Sequence, residues 1–549
     1  MNILGLNQIQ GMFAWVHDSS AALVKNGTLV ATAEEERFNR LRHHKGFPYK
    51  ASEYCLKEGG ITKKDVDIIA IGFDPYEWLR PFPHNFHPKR IAQNIINIGV
   101  FRFVRNILRT EYPKARIVYV PHHLAHAASV FYCSGFDEAN ILTVDGSGET
   151  ETFSFFVGKE GRIEKVWDIK LERTLVGNTK ASSIGFVYTG VTRLLKLGDN
   201  AEGKTMGLAS YGTPKYDFSA ILNIKSHTKY AIDRDALSTL YGHLARTDRD
   251  AKITQEQKDL AASLQNALEE SMLNVAREAF ECTGIRKFCL AGGVTLNCNA
   301  NSRIANADFC DELFVQPAAS DGGVALGAAL EAASRVEPGP VGEKMETAYW
   351  GPGYSDSEIE QVLKDAKVRY EKHHNIEEVT ARLVAGGNIV GWFQGRMEIG
   401  PRALCNRSIL ADPSVHGIQD RVNQVKHREL WRPFAPVVTE EDGAKYFEHY
   451  RVSPFMLLTF YVKGEFQKRL SGITHVDGSS RIQTVNAKQN PRMYKVLKEF
   501  EKLKGMPVLM NTSFNDVGEP IVCTPKDALK CFYGTGFDAL VMGTFLVKK

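Results

Sequence analysis

The alternation of apolar and polar positions at the N-terminus predicts a strand at NILGLN and two more at HDSSAALV and TLVATAEEE. Lys25-Asn26-Gly27 separates the second pair and has hairpin-turn chemistry. About 130 residues later the pattern returns: ILTVDGSG leads into TETFSFFVG, a Glu160-Gly161 turn and RIEKVWDIK. Between the two copies, the Ala-rich HHLAHAAS favours a helix. SSIGFVYTGVTRLLKL has helical periodicity, and LAGGVTLN reads as a strand running into a glycine turn. RVEPGPVGEKMETAYWGPGYSD, rich in Pro and Gly, predicts a domain connection and a division into residues 1–345 and 346–549. Beyond it, SDSEIEQVLKDA predicts a helix, and NIVGWFQG, FMLLTFYV, PVLMNTSF and ALVMGTFLV predict strands.

Two copies of strand, polar turn, strand, tight turn, strand suit a duplicated α/β domain with a cleft between its halves. By analogy this is the actin-like (ribonuclease H-like) architecture of the sugar-kinase ATPases, although periodicity alone leaves other α/β folds open. A length of 549 residues fits two or more domains, and 43% apolar with 24% charged residues is ordinary globular composition. The net charge of +4 does not point to nucleic acid as a partner. Nine cysteines without a CxxC pair fit a reduced, cytoplasmic protein with no zinc ribbon. No segment approaches 18 uninterrupted apolar residues and no signal-peptide pattern opens the chain, so neither a membrane span nor export is expected.

His122 and His126 are four apart, so a helix projects their imidazoles from one face about one turn apart. ILTV then runs to Asp145 before Gly146-Ser147-Gly148, where a carboxylate can complete a coordination set. Asp321, in QPAASDGGVALGAALEAA, stands where an N-cap stands and is either that cap or a further ligand. Two histidines and two carboxylates suit a first-row divalent ion; iron, manganese and zinc are not separable from ligand type. Packed histidines and a turn-capping Asp are the plainer alternative.

Gly198–Thr205 fits GxxxxGK[ST] letter for letter, but a P-loop needs a buried strand before it, and here a helical pattern precedes it. Lys204 is instead expected on a cleft loop, meeting an anion. The more credible nucleotide element is LAGGVTLNCNAN, where Gly292 and Gly293 let the backbone approach a phosphate and Asn297 and Asn301 can donate amide hydrogens. In the C-terminal half Arg396, Arg402, Arg407, Lys426, Arg428, Arg432 and Arg481 lie in loops interleaved with Ile399, Leu404, Trp431 and Phe434. Guanidinium forks suit phosphate and carboxylate oxygens, and the interleaved apolar residues argue against a merely solvated basic face. A small phosphorylated substrate is the expected partner.

HDSSAALV with EEERFNR, HHLAHAAS, VDGSGE, EGKTMGLASYG, GGVTLN, GPRALCNRSILADP, WRPFAP, HVDGSSRIQTV and NTSFNDVGEPIV resemble, in this order and over nearly the whole chain, the ATP-dependent O-carbamoyltransferases. That family modifies hydroxyls of nodulation factors, cephalosporins, aminoglycosides and ansamycins. The resemblance implies an N-terminal actin-like carbamoyl-transfer domain and a C-terminal YrdC-like domain that forms carbamoyladenylate. Carbamoyl phosphate and ATP with Mg2+ would supply it, and a hydroxylated small molecule would accept the carbamoyl group. It implies iron as the metal, held by His122, His126, Asp145 and Asp321. Lys426, Arg432, Arg481, Asn511 and Ser513 would line the carbamoyl-phosphate and ATP site, and His17 would position the acceptor or move its proton. Two departures are visible. Cys405 stands where the family has Gly, a strained choice if that position needs positive φ. Arg42-His43-His44 replaces the usual Lys-His-acidic run. The oligomeric state stays open, a homodimer included, as does the acceptor. The other readings are a small-molecule kinase of actin-like fold, which would yield ADP, and a tRNA threonylcarbamoyl-type enzyme, for which the chain shows no nucleic-acid module.

Overall fold

In the computed structural model, residues 1–7, 17–76, 88–171 and 182–549 are described, without the side chains of 88–98. They form two units: Met1–Glu35 with His43–Met345, and Glu36–Arg42 with Glu346–Lys549. No helix among the described residues is long and apolar enough to cross a membrane.

The first unit repeats one sheet twice. Strands β1 (Asn2–Asn7), β2 (Ser20–Lys25), β3 (Thr28–Glu34), β4 (Ile68–Ile71) and β5 (Arg116–Tyr119) form a sheet of order β3-β2-β1-β4-β5. Strands β6 (Glu138–Val144), β7 (Glu151–Lys159) and β8 (Arg162–Lys170) open the second copy. A two-stranded hairpin, β9 (Leu222–Ser226) with β10 (Lys229–Ile232), intervenes before β11 (Lys287–Ala291) and β12 (Glu312–Val315) complete the order β8-β7-β6-β11-β12. In each sheet the first three strands are an antiparallel meander and the last two join in parallel. Each meander turns at two residues with positive φ, Asn26 and Gly27 in one copy and Glu160 and Gly161 in the other. That is the type I′ geometry whose twist matches flanking strands. This is the duplicated actin-like, ribonuclease H-like fold.

Helix Val324–Ser334, rich in alanine and glycine, packs against both the first sheet and helix His122–Ser134. A Cβ on its Gly327 would lie 1.7 Å from the Ala125 carbonyl, so only glycine lets it lie against helix His122–Ser134. Gly198–Thr205 follows helix Ile184–Leu194 rather than a strand, and Lys204 sits half-buried within helix Glu202–Ala209, not on a loop. The P-loop match is coincidental.

The second unit carries an eight-stranded mixed sheet of order β13-β22-β21-β14-β15-β20-β16-β19. Its strands are β13 (Glu371–Lys372), β14 (Val390–Phe393), β15 (Arg407–Ala411), β16 (Ala435–Thr439), β19 (Gln483–Val485), β20 (Val508–Ser513), β21 (Ala539–Met542) and β22 (Phe545–Lys548), with a small ladder of β17 (Phe460–Tyr461) and β18 (Ser479–Ser480) apart from it. Helices Ile376–Ala385 and Pro491–Lys504 pack on each other, and the arrangement is consistent with the expected YrdC-like domain. One expected strand is corrected: of FMLLTFYV only Phe460–Tyr461 is extended, because Met456 takes φ +55 and interrupts the run. Phe455, Met456, Leu457, Leu458, Phe460 and Val462 are buried all the same, and only Tyr461 is exposed, so hydrophobicity reported burial and not conformation.

Candidate functional site

His122 opens helix His122–Ser134 and His126 follows one turn later, both fully buried. The two Nε2 atoms lie 3.1 Å apart. Asp145, just past β6, brings Oδ2 to 3.3 Å from His122 Nε2 and 3.8 Å from His126 Nε2. Asp321 brings Oδ1 to 3.5 and 3.8 Å from the same two nitrogens. Asp321 is not a cap: the helix behind it starts from Gly323 with no side-chain cap bond.

The four side chains fit a single ion. All four donor atoms fall within 4.8 Å of one another. Nitrogen and oxygen ligands about 2.1 Å from an ion stand roughly 3.0–3.4 Å apart in octahedral or tetrahedral geometry, close to the spacings seen. Surrounding groups already orient the set. His122 Nδ1 lies 3.4 Å from the Gly72 carbonyl, turning Nε2 inward. Gly293 N–H donates to Asp145 Oδ1 at 3.0 Å and leaves Oδ2 for the imidazoles. Asn7 Nδ2 donates to the Asp321 carbonyl at 2.9 Å. Burial pushes the Asp321 carboxyl up, as does Asp145, but the two imidazoles outweigh them and hold it below the ordinary carboxylate range.

His17 lies at the edge of this cluster, its N–H 3.4 Å from Asp321 Oδ2. Asp18 stands between two imidazoles, with Oδ2 3.0 Å from His17 Nδ1 and Oδ1 2.6 Å from His43 Nδ1. Burial lowers the basicity of His17, yet the Asp18 carboxylate overcomes this, helped by Asp321 and Asp145, and raises it to about 10. Sequence reasoning missed Asp18 as an orienting partner; its place beside His17, with a histidine pair downstream, was the available signal.

The proposed nucleotide residues hold the scaffold together. A Cβ on Gly292, at φ +95, would meet the Val144 carbonyl at 2.2 Å, so glycine is required by the neighbouring strand. Asn297 caps helix Cys298–Ala305 through Ala300 N–H and exchanges two 2.9 Å bonds with Gln265. Asn301 donates to the Thr295 carbonyl at 2.7 Å.

In the second unit, cations gather. Lys426 is buried and its ammonium donates to the Ser513 carbonyl and to Asn515, at 2.9 Å to Oδ1 and 3.1 Å to the carbonyl. Burial pushes Lys426 well below the usual lysine range, and Arg428 and Arg432 push the same way. Arg432 is likewise lowered, first by burial, then by Arg42 and Arg481, with Glu429 opposing. Arg481 Nε and Asn511 Oδ1 are buried with no hydrogen-bond partner among the described residues. Asn511 Nδ2 donates to Gln483 Oε1 at 2.8 Å. Arg407, by contrast, serves the fold: fully buried, it stacks on Phe393 at 3.7 Å and donates to the carbonyls of Pro352, Gln394, Gly395 and Asn406. Cys405 takes φ +81, and its buried thiol lies 3.1 Å from Gln483 Oε1. Glu398 fixes this loop by accepting from the N–H groups of Leu404, Asn406 and Arg407 at 2.6, 3.4 and 3.2 Å.

A model of the carbamoyltransferase N-terminus matches residues 8–330, and one of the carbamoyltransferase C-terminus matches residues 381–549. The chain belongs to the carbamoyltransferase family. It is 37% identical over 553 residues to the nodulation protein NolNO of Sinorhizobium fredii, covering 97% of this chain and 79% of that one. It is 33% identical over 350 residues to the 3'-hydroxymethylcephem-O-carbamoyltransferase of Amycolatopsis lactamdurans, covering 63% and 64% of the two chains. An uncharacterised Synechocystis protein is 36% identical over 608 residues, covering 99% of this chain and 97% of that one. This carbamoyltransferase therefore matches its relatives along both of its units.

Proposed function

We propose that this carbamoyltransferase transfers a carbamoyl group from carbamoyl phosphate, by way of carbamoyladenylate made from ATP, to a hydroxyl of a small molecule. The observation that carries the reading is the pairing, in one chain, of a buried two-histidine, two-carboxylate cluster with a buried group of cations. The O-carbamoyltransferase name of a relative supports an alcohol as acceptor. In the second unit Lys426, Arg432 and Arg481, with Asn511 and Ser513, would clamp the anionic donor and the triphosphate, since charge-assisted bonds act most strongly where water is excluded. A mixed anhydride with AMP keeps the carbamoyl carbon electrophilic and gives it a good leaving group. Mg2+ would accompany ATP as its counterion.

In the first unit His122, His126, Asp145 and Asp321 would hold a divalent ion, for which the family resemblance implies iron. Such an ion, when bound, polarises a carbonyl and neutralises charge on a departing phosphate. His17, oriented by Asp18 and held as an imidazolium near neutral pH by the carboxylates around it, would position the acceptor hydroxyl by donating to its oxygen. Lys204, Gly292, Gly293 and Asn297 would shape the surroundings of the adenylate.

Purified protein incubated with ATP, carbamoyl phosphate and a panel of hydroxylated metabolites should yield a carbamoylated alcohol together with AMP, pyrophosphate and the inorganic phosphate that carbamoyl phosphate gives up. ADP as the nucleotide product, with phosphorylated acceptor, would instead establish a kinase.

A further inference from the structure

Residues Glu36–Arg42 come from the N-terminal sequence but belong to the second unit. The anchoring is specific. Phe38 packs against Met397, Ala403, Ile521 and Cys523. Arg37 Nη2 donates to the Gly400 carbonyl at 2.7 Å. Arg40 uses both arms of its fork, donating to the carbonyls of Ile521 and Pro520 at 2.6 Å each. Its charge also faces Glu519 and Asp527, each at 3.8 Å.

Two further observations give this grip a direction. First, Arg40 takes φ +64 at the end of a short helix, where glycine is the favoured residue. What arginine adds there is its guanidinium. Second, the segment it holds leads straight to the cation group. Asn515 Nδ2 donates to the Glu519 carbonyl at 2.7 Å, while Asn515 Oδ1 accepts from Lys426 Nζ at 2.9 Å and from Ser513 Oγ at 2.8 Å. The path runs from a bidentate fork, through the Glu519–Ile521 segment, to the amide that orients both Lys426 and Ser513.

We infer that Arg40 is a positioning residue of the second unit's anion site, fixing through the Glu519–Ile521 segment the Asn515 side chain that holds Lys426 and Ser513 in place. Its effect on catalysis rests on the function proposed above; its effect on Lys426 does not. A planar fork satisfies two adjacent carbonyls at once and an ammonium does not, so lysine is a partial substitute.

The test uses Arg40→Gly, which keeps the positive φ and removes only the side chain, and Arg40→Lys. The first readout is the rate at which an amine-reactive acylating reagent labels Lys426, followed by peptide mass spectrometry in the full-length protein, with exposed Lys488 as the internal reference. Arg40→Gly should raise Lys426 labelling roughly fivefold relative to Lys488 as the segment opens locally, and Arg40→Lys by less. The second readout is carbamoyl-phosphate-dependent pyrophosphate release, where Arg40→Gly should lower kcat/KM about tenfold, mainly through KM for carbamoyl phosphate. Unchanged Lys426 labelling in a folded Arg40→Gly protein overturns the inference, as does a loss of kcat with KM untouched. If Arg40→Gly does not fold, Arg40→Lys alone decides by the same labelling ratio. Raised labelling in a protein whose wild type releases no pyrophosphate would keep the positioning role and reject the proposed function.

Discussion

The first unit draws its cluster from regular elements: one helix supplies both histidines, a strand end supplies Asp145, and the turn into a second helix supplies Asp321. The second unit draws its cations from connections, with Lys426 capping helix Ile418–Val425, Arg432 in the loop beyond, and Arg481 between β18 and β19. The contrast follows from charge. Two carboxylates and two imidazoles face one another across short distances that helix and strand geometry preset, and an ion among them would draw all four together. Like charges in the cation group repel, so each needs local acceptors, as Lys426 has in Ser513 and Asn515. A set held by rigid elements should be lost all at once, whereas one held by loops should weaken by degrees.

The largest effect tests the rigid half. Protein purified without chelator should carry about one divalent transition metal per chain, and replacing His122 and His126 together by Ala should remove it and leave no detectable carbamoylated product, with the fold retained. Metal content undiminished in that variant would show that these histidines do not hold the ion. Next comes the loop half: Arg432→Ala should lower carbamoyl-phosphate-dependent pyrophosphate release about 100-fold while metal content stays the same. A complete, all-or-none loss in every single cation variant would show that this site is as tightly interlocked as the other.

Smaller effects sharpen the account of the Cys405 loop. Glu398→Ala should cost about 2–3 kcal/mol in urea unfolding, because a buried carboxylate now serves three N–H groups. A change below about 0.5 kcal/mol would mean that water replaces it freely. At Cys405, whose φ is +81, glycine should be more stable than alanine by about 1 kcal/mol, reversing the usual order. Alanine equal to or better than glycine would remove backbone strain from the description, and the depth of the thiol's burial would then dominate.

The sequence made the duplicated sheet legible because hairpin chemistry at Asn26-Gly27 and Glu160-Gly161 repeats along the chain, and local turn rules are strong. The histidine pair was legible for the same reason, since four-residue spacing on a helix is a local fact. Asp321 stayed ambiguous because a cap and a ligand look alike before a helix; it makes no cap bond there, and its closeness to His122 and His126 comes from packing between parts far apart in the chain. Arg407 read as one more fork for an anion; its stacking on Phe393 and its four carbonyl partners depend on strands and loops that no local pattern brings together. The membership of Glu36–Arg42 in the second unit was invisible for the same physical reason: its anchors at Gly400, Pro520 and Ile521 are hundreds of residues away.

If the two clusters do the separate work proposed for them, one forming the activated carbamoyl group and the other transferring it, the two half-reactions can be switched off independently. Pyrophosphate release dependent on carbamoyl phosphate, measured side by side in wild type, His126→Ala and Arg481→Ala, tests it most directly and needs no knowledge of the acceptor. Release should persist in His126→Ala and fall about 100-fold in Arg481→Ala with metal content unchanged. Release that survives Arg481→Ala but vanishes in His126→Ala would contradict this division and assign the activation step to the first unit.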